Sequence, residues 1–151
     1  MAKKEIKDIS SSVRARLKTK AQEEGVELQS ILMRYGVERF LYRLSVSLHK
    51  DNFLLKGAAL FSIWFNEPHR PTKDLDLLGY GANDIPILET TFKTICQINV
   101  EDGLEFQTET IQGELIREEE VYQGVRLKFI ARLGQARIPL QVDIGLSLSS
   151  F

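Results

Sequence analysis

The chain has one cysteine, Cys96, among its 151 residues, so it cannot close an internal disulfide. The isoleucines around it, Ile95 and Ile98, place the thiol on a helix face turned to the core, where it packs as a small hydrophobe. There is no apolar run near the roughly 20 residues a membrane-spanning helix needs, and Met1-Ala2-Lys3-Lys4 is not followed by the apolar stretch of a signal peptide. Internal repeats and low-complexity segments are also missing. What remains, 43% hydrophobic and 27% charged residues, is the composition of a soluble one-domain protein, expected in the cytoplasm and off the membrane.

Net charge is nearly absent too, at -1, but the balance conceals an asymmetry. Residues 1–50 carry 11 Lys+Arg against 6 Asp+Glu, which leaves 9 against 15 for residues 51–151. A basic N-terminal helical segment therefore precedes an acidic core within one predicted domain, 1–151. Two readings of the basic part stand side by side: a solvated helix surface, or a surface that tracks a nucleic-acid backbone.

Read in order, Met1 to Ile9 are expected to fray, and Ser10-Ser11-Ser12 offer N-caps for a helix that ends at Gly25. The next helix, Glu27 to Leu48, has an apolar stripe of Leu28, Ile31, Leu32, Tyr35, Phe40, Leu41, Leu44 and Leu48, with Arg34, Glu38, Arg39 and Arg43 on its other face. Phe53-Leu54-Leu55 reads as a buried strand, Lys56-Gly57 as a turn and Ala58 to Phe65 as a short helix. After a proline-bearing loop, Asp74 to Leu78 forms a second strand and Ile85 to Ile98 a helix with Pro86 in its first turn. Leu104 to Phe106 is a short strand, and Glu114 to Glu120 is an acidic patch with no clear element. Val125 to Leu133 and Ile138 to Ile144 alternate apolar and polar residues about a Gly134-Gln135 hairpin turn.

The most unusual stretch is Arg70-Pro71-Thr72-Lys73-Asp74-Leu75-Asp76-Leu77-Leu78. Alternation puts Asp74 and Asp76 on one face of a strand, about 6–7 Å apart between Cα atoms, with the leucines anchoring the other face. Two neighbouring carboxylates repel unless a cation neutralises them. Such a pair suits Mg²⁺ ions about 3.5–4 Å apart, the clamp used in nucleotidyl transfer, with Asp143 as a third ligand or as a base. The plainer reading is an edge strand whose aspartates pair with Arg70 or Lys73. Upstream, a strand, a glycine turn and a helix follow one another, an order that lets backbone N–H groups approach a phosphate.

Taken together, Leu55-Lys56-Gly57-Ala58-Ala59-Leu60, Arg70 to Leu77 and Val142-Asp143-Ile144-Gly145 resemble the nucleotidyltransferase signature of the AbiEii/AbiGii toxin family, from type IV toxin–antitoxin and abortive-infection systems. Ser12 to Leu17, Glu38 to Ser45 and Tyr122 to Arg126 are similar to its leader and middle segments. The resemblance implies an α+β fold of the polymerase-β-like nucleotidyltransferase type, a mixed sheet flanked by helices. It also implies Mg²⁺ as cofactor, a nucleoside triphosphate as donor, an RNA acceptor such as tRNA, and a cognate antitoxin. By the same resemblance Asp74, Asp76 and Asp143 hold the metal and carry catalysis, and the triphosphate lies over Gly57. Lys56, Arg70 and Lys73 then supply counter-charge to it, and Thr72 a hydrogen bond.

The chain departs from that pattern in two places. Ala58 stands where the family has glycine or serine, which keeps the N–H but loses a hydroxyl. The sequence also stops at Phe151, where the family continues into a helical half. That ending reads as a truncation that would favour self-association through the face left open. Two alternatives follow: a remnant that binds nucleotide or a partner protein without turnover, and a metal-independent RNA-binding domain built on the basic helices.

Overall fold

The structure is a computed structural model that describes residues 2–55, 75–80, 84–118 and 121–146. Among them are helices α1 (Ala2–Glu24), α2 (Leu28–Ser45) and α3 (Ile85–Cys96), and strands β1 (Phe53–Leu55), β2 (Leu75–Gly79), β3 (Leu104–Glu118), β4 (Val121–Leu133) and β5 (Ala136–Leu146). The strands form one five-stranded sheet in the order β1-β2-β5-β4-β3. Only the β2–β5 pair is parallel; the other three are antiparallel. The fold is α+β with a mixed sheet flanked by helices, as the resemblance implied.

Alternation along each strand builds the core. Leu75 and Leu77 of β2, Val142 and Ile144 of β5, and Val125, Leu127 and Phe129 of β4 all turn to one face and are buried. Helix α2 lies against β5 and α3 against β3. Phe40 of α2 is the hub, with ring centroids 5.1 Å from Phe92 and 5.4 Å from Phe129. Gly36 sets how closely α2 approaches the sheet, since a Cβ there would lie 3.2 Å from a Leu140 methyl. Cys96 is buried at the end of α3, as its neighbours suggest.

Several local expectations need correction. Helix α1 starts at Ala2, because Ala, Lys and Glu before Ser10 are good helix formers and carry the helix through the serines. Ser10 is no cap; its buried hydroxyl donates to the Gly103 carbonyl at 2.7 Å and ties α1 to the turn before β3. Gly25 does end the helix, at φ 68°, with Val26 N–H donating to Ala21 and Gly25 N–H to Gln22. Helix α2 stops at Ser45, so Leu48 falls outside the apolar stripe and is 99% exposed. The stretch from Leu104 to Glu118, including part of the acidic patch, is one long strand.

The polar face expected for α2 is also corrected. Arg43 is 2% exposed and Arg34 8%. Arg43 meets Asp102 with both Nη atoms, at 2.7 and 3.0 Å, and Arg39 Nε adds a third bond at 2.9 Å. Asp102 also accepts the Leu104 N–H, and its carbonyl takes the Tyr35 hydroxyl. Each oxygen of this buried carboxylate is thus satisfied, and α2 is locked to the turn between α3 and β3.

Candidate active site

The sheet's polar face carries the expected carboxylates that the structure describes, Asp76 and Asp143. Parallel pairing sets Asp76 of β2 against Asp143 of β5, and antiparallel pairing sets Asp143 against Arg126 of β4 and Arg126 against Glu114 of β3. Four charged residues therefore form one row across four strands, spaced by about 4.8 Å per strand. Their flanking residues hold the row in place, because Leu75, Leu77, Val125, Leu127 and Ile144 are each at most 1% exposed on the opposite face.

Charge alternates unevenly along the row. Asp76 is exposed, while Asp143 and Arg126 are half-buried. Arg126 grips Asp143 with its planar fork, Nε to Oδ1 at 2.9 Å and Nη2 to Oδ2 at 3.1 Å. Further out, Lys128 Nζ approaches Glu114 Oε1 at 3.3 Å on the exposed surface. Asp76 and Asp143 are like charges on neighbouring strands, an arrangement that a bound cation relieves.

Of the expected site residues, the structure brings Asp76 and Asp143 together. Asp74, Lys56, Gly57, Ala58, Arg70, Thr72 and Lys73 lie outside the described residues, as does the short helix expected from Ala58 to Phe65. Among the described residues no group of three His, Cys, Asp or Glu side chains is placed to hold a metal ion. The donor chemistry of the pair nonetheless fits Mg²⁺, which takes hard oxygen ligands and is commonly held by one or two carboxylates together with substrate phosphates.

Arg126 is the residue that sequence reasoning passed over. It was legible: a two-residue turn at Gly134-Gln135 pairs Leu133 with Ala136, and counting back along both strands brings Arg126 opposite Asp143. Two cavities open on the described residues, and neither is lined by the carboxylates of the row. One of about 410 Å³ is lined by Met33, Gln112, Lys128, Arg137 and Gln141 among others, and one of about 350 Å³ by Leu41, Leu44, Lys50, Phe53 and Leu77 among others.

Helices α1 to α3 include none long and apolar enough to cross a membrane. No curated protein and no solved structure matches the chain significantly. Residues 39–148, well over half of the chain, match the protein-family model described as nucleotidyl transferase AbiEii toxin, type IV TA system. That segment runs from α2 through the row of Asp76, Asp143, Arg126 and Glu114 to the end of β5, and the chain belongs to the AbiEii nucleotidyltransferase toxin family.

Proposed function

We propose that the chain carries the nucleotidyl-transfer centre of its family, with Asp76 and Asp143 at its core and Asp74 as a further metal ligand. The observation that supports this most is the register: two carboxylates face the same side of adjacent parallel strands over a buried aliphatic layer. The buried neighbours Leu75, Leu77, Val142 and Ile144 fix the backbone beneath both carboxylates, which positioning-dependent transfer requires.

In this reading Asp74, Asp76 and Asp143 hold Mg²⁺, which supplies charge neutralisation for the triphosphate and a Lewis acid at the reacting phosphate. Lys56, Arg70 and Lys73 balance the remaining phosphate charge, Gly57 and Ala58 admit the phosphates close to the backbone, and Thr72 donates a hydrogen bond. An RNA hydroxyl oxygen attacks the α-phosphorus, a new P–O bond forms, and the α–β bridging bond breaks to release pyrophosphate. Asp143 takes the hydroxyl proton or orients the group that does. The acceptor is RNA, with tRNA the first candidate, and an antitoxin is the expected protein partner of a family defined by toxin–antitoxin pairs.

In the basic N-terminal segment Arg39 and Arg43 already serve Asp102 and Arg34 approaches Glu24 at 3.6 Å, so the cations it presents to RNA include the exposed Arg14, Arg16, Lys18 and Lys20 instead. Incubation of the protein with labelled triphosphates, Mg²⁺ and total tRNA tests the proposal. Incorporation that disappears in both Asp74→Ala and Asp76→Ala supports it. Metal-dependent nucleotide binding without incorporation points instead to a non-catalytic nucleotide-binding protein.

A further inference from the structure

We propose that Arg126 is a displaceable counter-ion of the acidic row, holding Asp143 in the metal-free protein and passing to phosphate oxygens when the site is loaded. The inference rests on the reading of Asp76 and Asp143 as the cation-binding pair. Both Asp143 oxygens are engaged by the Arg126 fork, at 2.9 and 3.1 Å, so a cation and the guanidinium compete for the same carboxylate.

The surroundings suit a residue that changes partner. The Arg126 side chain is 33% exposed and that of Asp143 19%, so the pair can open without creating a dry, unpaired charge. The backbone beneath stays fixed, because the adjacent Val125 and Leu127 are fully buried. Glu114, paired with Arg126 across the β3–β4 ladder, offers a second carboxylate on the far side of the row. A guanidinium fork that matches a carboxylate also matches two phosphate oxygens, so the released Arg126 sits one strand from Asp143 with the geometry for a triphosphate.

The two ligands should then respond with opposite sign to loss of Arg126, whereas a purely structural role would weaken both. The experiment measures the affinity of the full chain for Mn²⁺ alone by calorimetry or spin resonance. It then measures the affinity for a non-hydrolysable nucleoside triphosphate at saturating Mn²⁺. Removing one positive charge beside the pair in Arg126→Met is expected to tighten Mn²⁺ by about five- to tenfold and to weaken the triphosphate by about tenfold. Arg126→Lys keeps the charge but loses the fork, and should fall between Met and wild type for both ligands; it decides the matter if the Met variant does not fold.

Unchanged or weaker Mn²⁺ binding in the folded variants, or unchanged triphosphate affinity, overturns the proposal. Asp76→Asn separates this failure from failure of the underlying reading. If Mn²⁺ binds wild type in an Asp76-dependent manner and Arg126→Met gains nothing, only the counter-ion role falls. If neither wild type nor Arg126→Met binds Mn²⁺, the metal reading falls with it.

Discussion

Asp102 is the carboxylate on which the helical layer depends. Burial alone would raise its pKa, but the hydrogen bonds from Arg43 and Arg39 outweigh burial and hold it below the ordinary aspartate value. A carboxylate with a lowered folded-state pKa adds stability above its unfolded pKa, and that stability is lost as pH falls through the folded value. Stability is therefore expected to be level near neutrality and to decline below about pH 4, near the pKa of an unfolded aspartate. Asp102→Asn should abolish that part of the acid dependence and cost about 3–5 kcal/mol in urea unfolding, since it leaves Arg43 buried without its charge partner. Cys96 makes an opposite case, because burial pushes its thiol up to about 12, only partly offset by Arg43. A maleimide or aromatic disulfide at pH 8 should leave Cys96 unmodified in the folded protein and label it promptly in denaturant.

Among the elements, β4 and β5 carry Arg126 and Asp143 of the charged row, and their pairing has one point of unusual closeness. Gly124 has φ +154°, and a Cβ there would fall 2.1 Å from the Ile144 carbonyl oxygen. No side chain fits against a backbone atom at that distance, so Gly124→Ala must separate the strands two residues from Arg126. A loss of about 2–4 kcal/mol is expected, measured by denaturant unfolding, together with a weakened Arg126–Asp143 pair. Elements whose periodicity is unbroken were legible from sequence: β2, the β4–β5 hairpin and α3 follow their apolar pattern. Strand β3 was not, because its pairing with β4 slips between Gln107 and Gln112 and disrupts the alternation. There Thr110 spans the slip, accepting the Ile130 N–H and donating to the Gln107 carbonyl. The pairing of Arg39 and Arg43 was also illegible, since their partner Asp102 is 63 and 59 residues away in sequence and reads locally as a plain turn residue.

For the whole molecule, the placement of Asp76 beside Asp143 is the fact no local pattern supplies. A helix and two long strands separate the two residues in sequence, and only the strand order β1-β2-β5-β4-β3 makes β2 and β5 neighbours. What sequence did provide was the chemistry: a carboxylate on each strand, each backed by buried aliphatic residues. Part of the charge asymmetry between the two parts of the chain also takes on a structural meaning, as Arg39 and Arg43 of α2 pair with Asp102 of the core, while Arg14, Arg16, Lys18 and Lys20 of α1 stay exposed. The most direct measurement is pyrophosphate release from a nucleoside triphosphate with Mg²⁺ and tRNA, compared between wild type and Asp76→Asn, with melting temperatures taken on both. The melting temperatures establish that the variant is folded when its activity is read. The account predicts a fall in pyrophosphate release of at least about a hundredfold in a variant that remains folded at the assay temperature. Release that persists undiminished in the folded Asp76→Asn protein would contradict it.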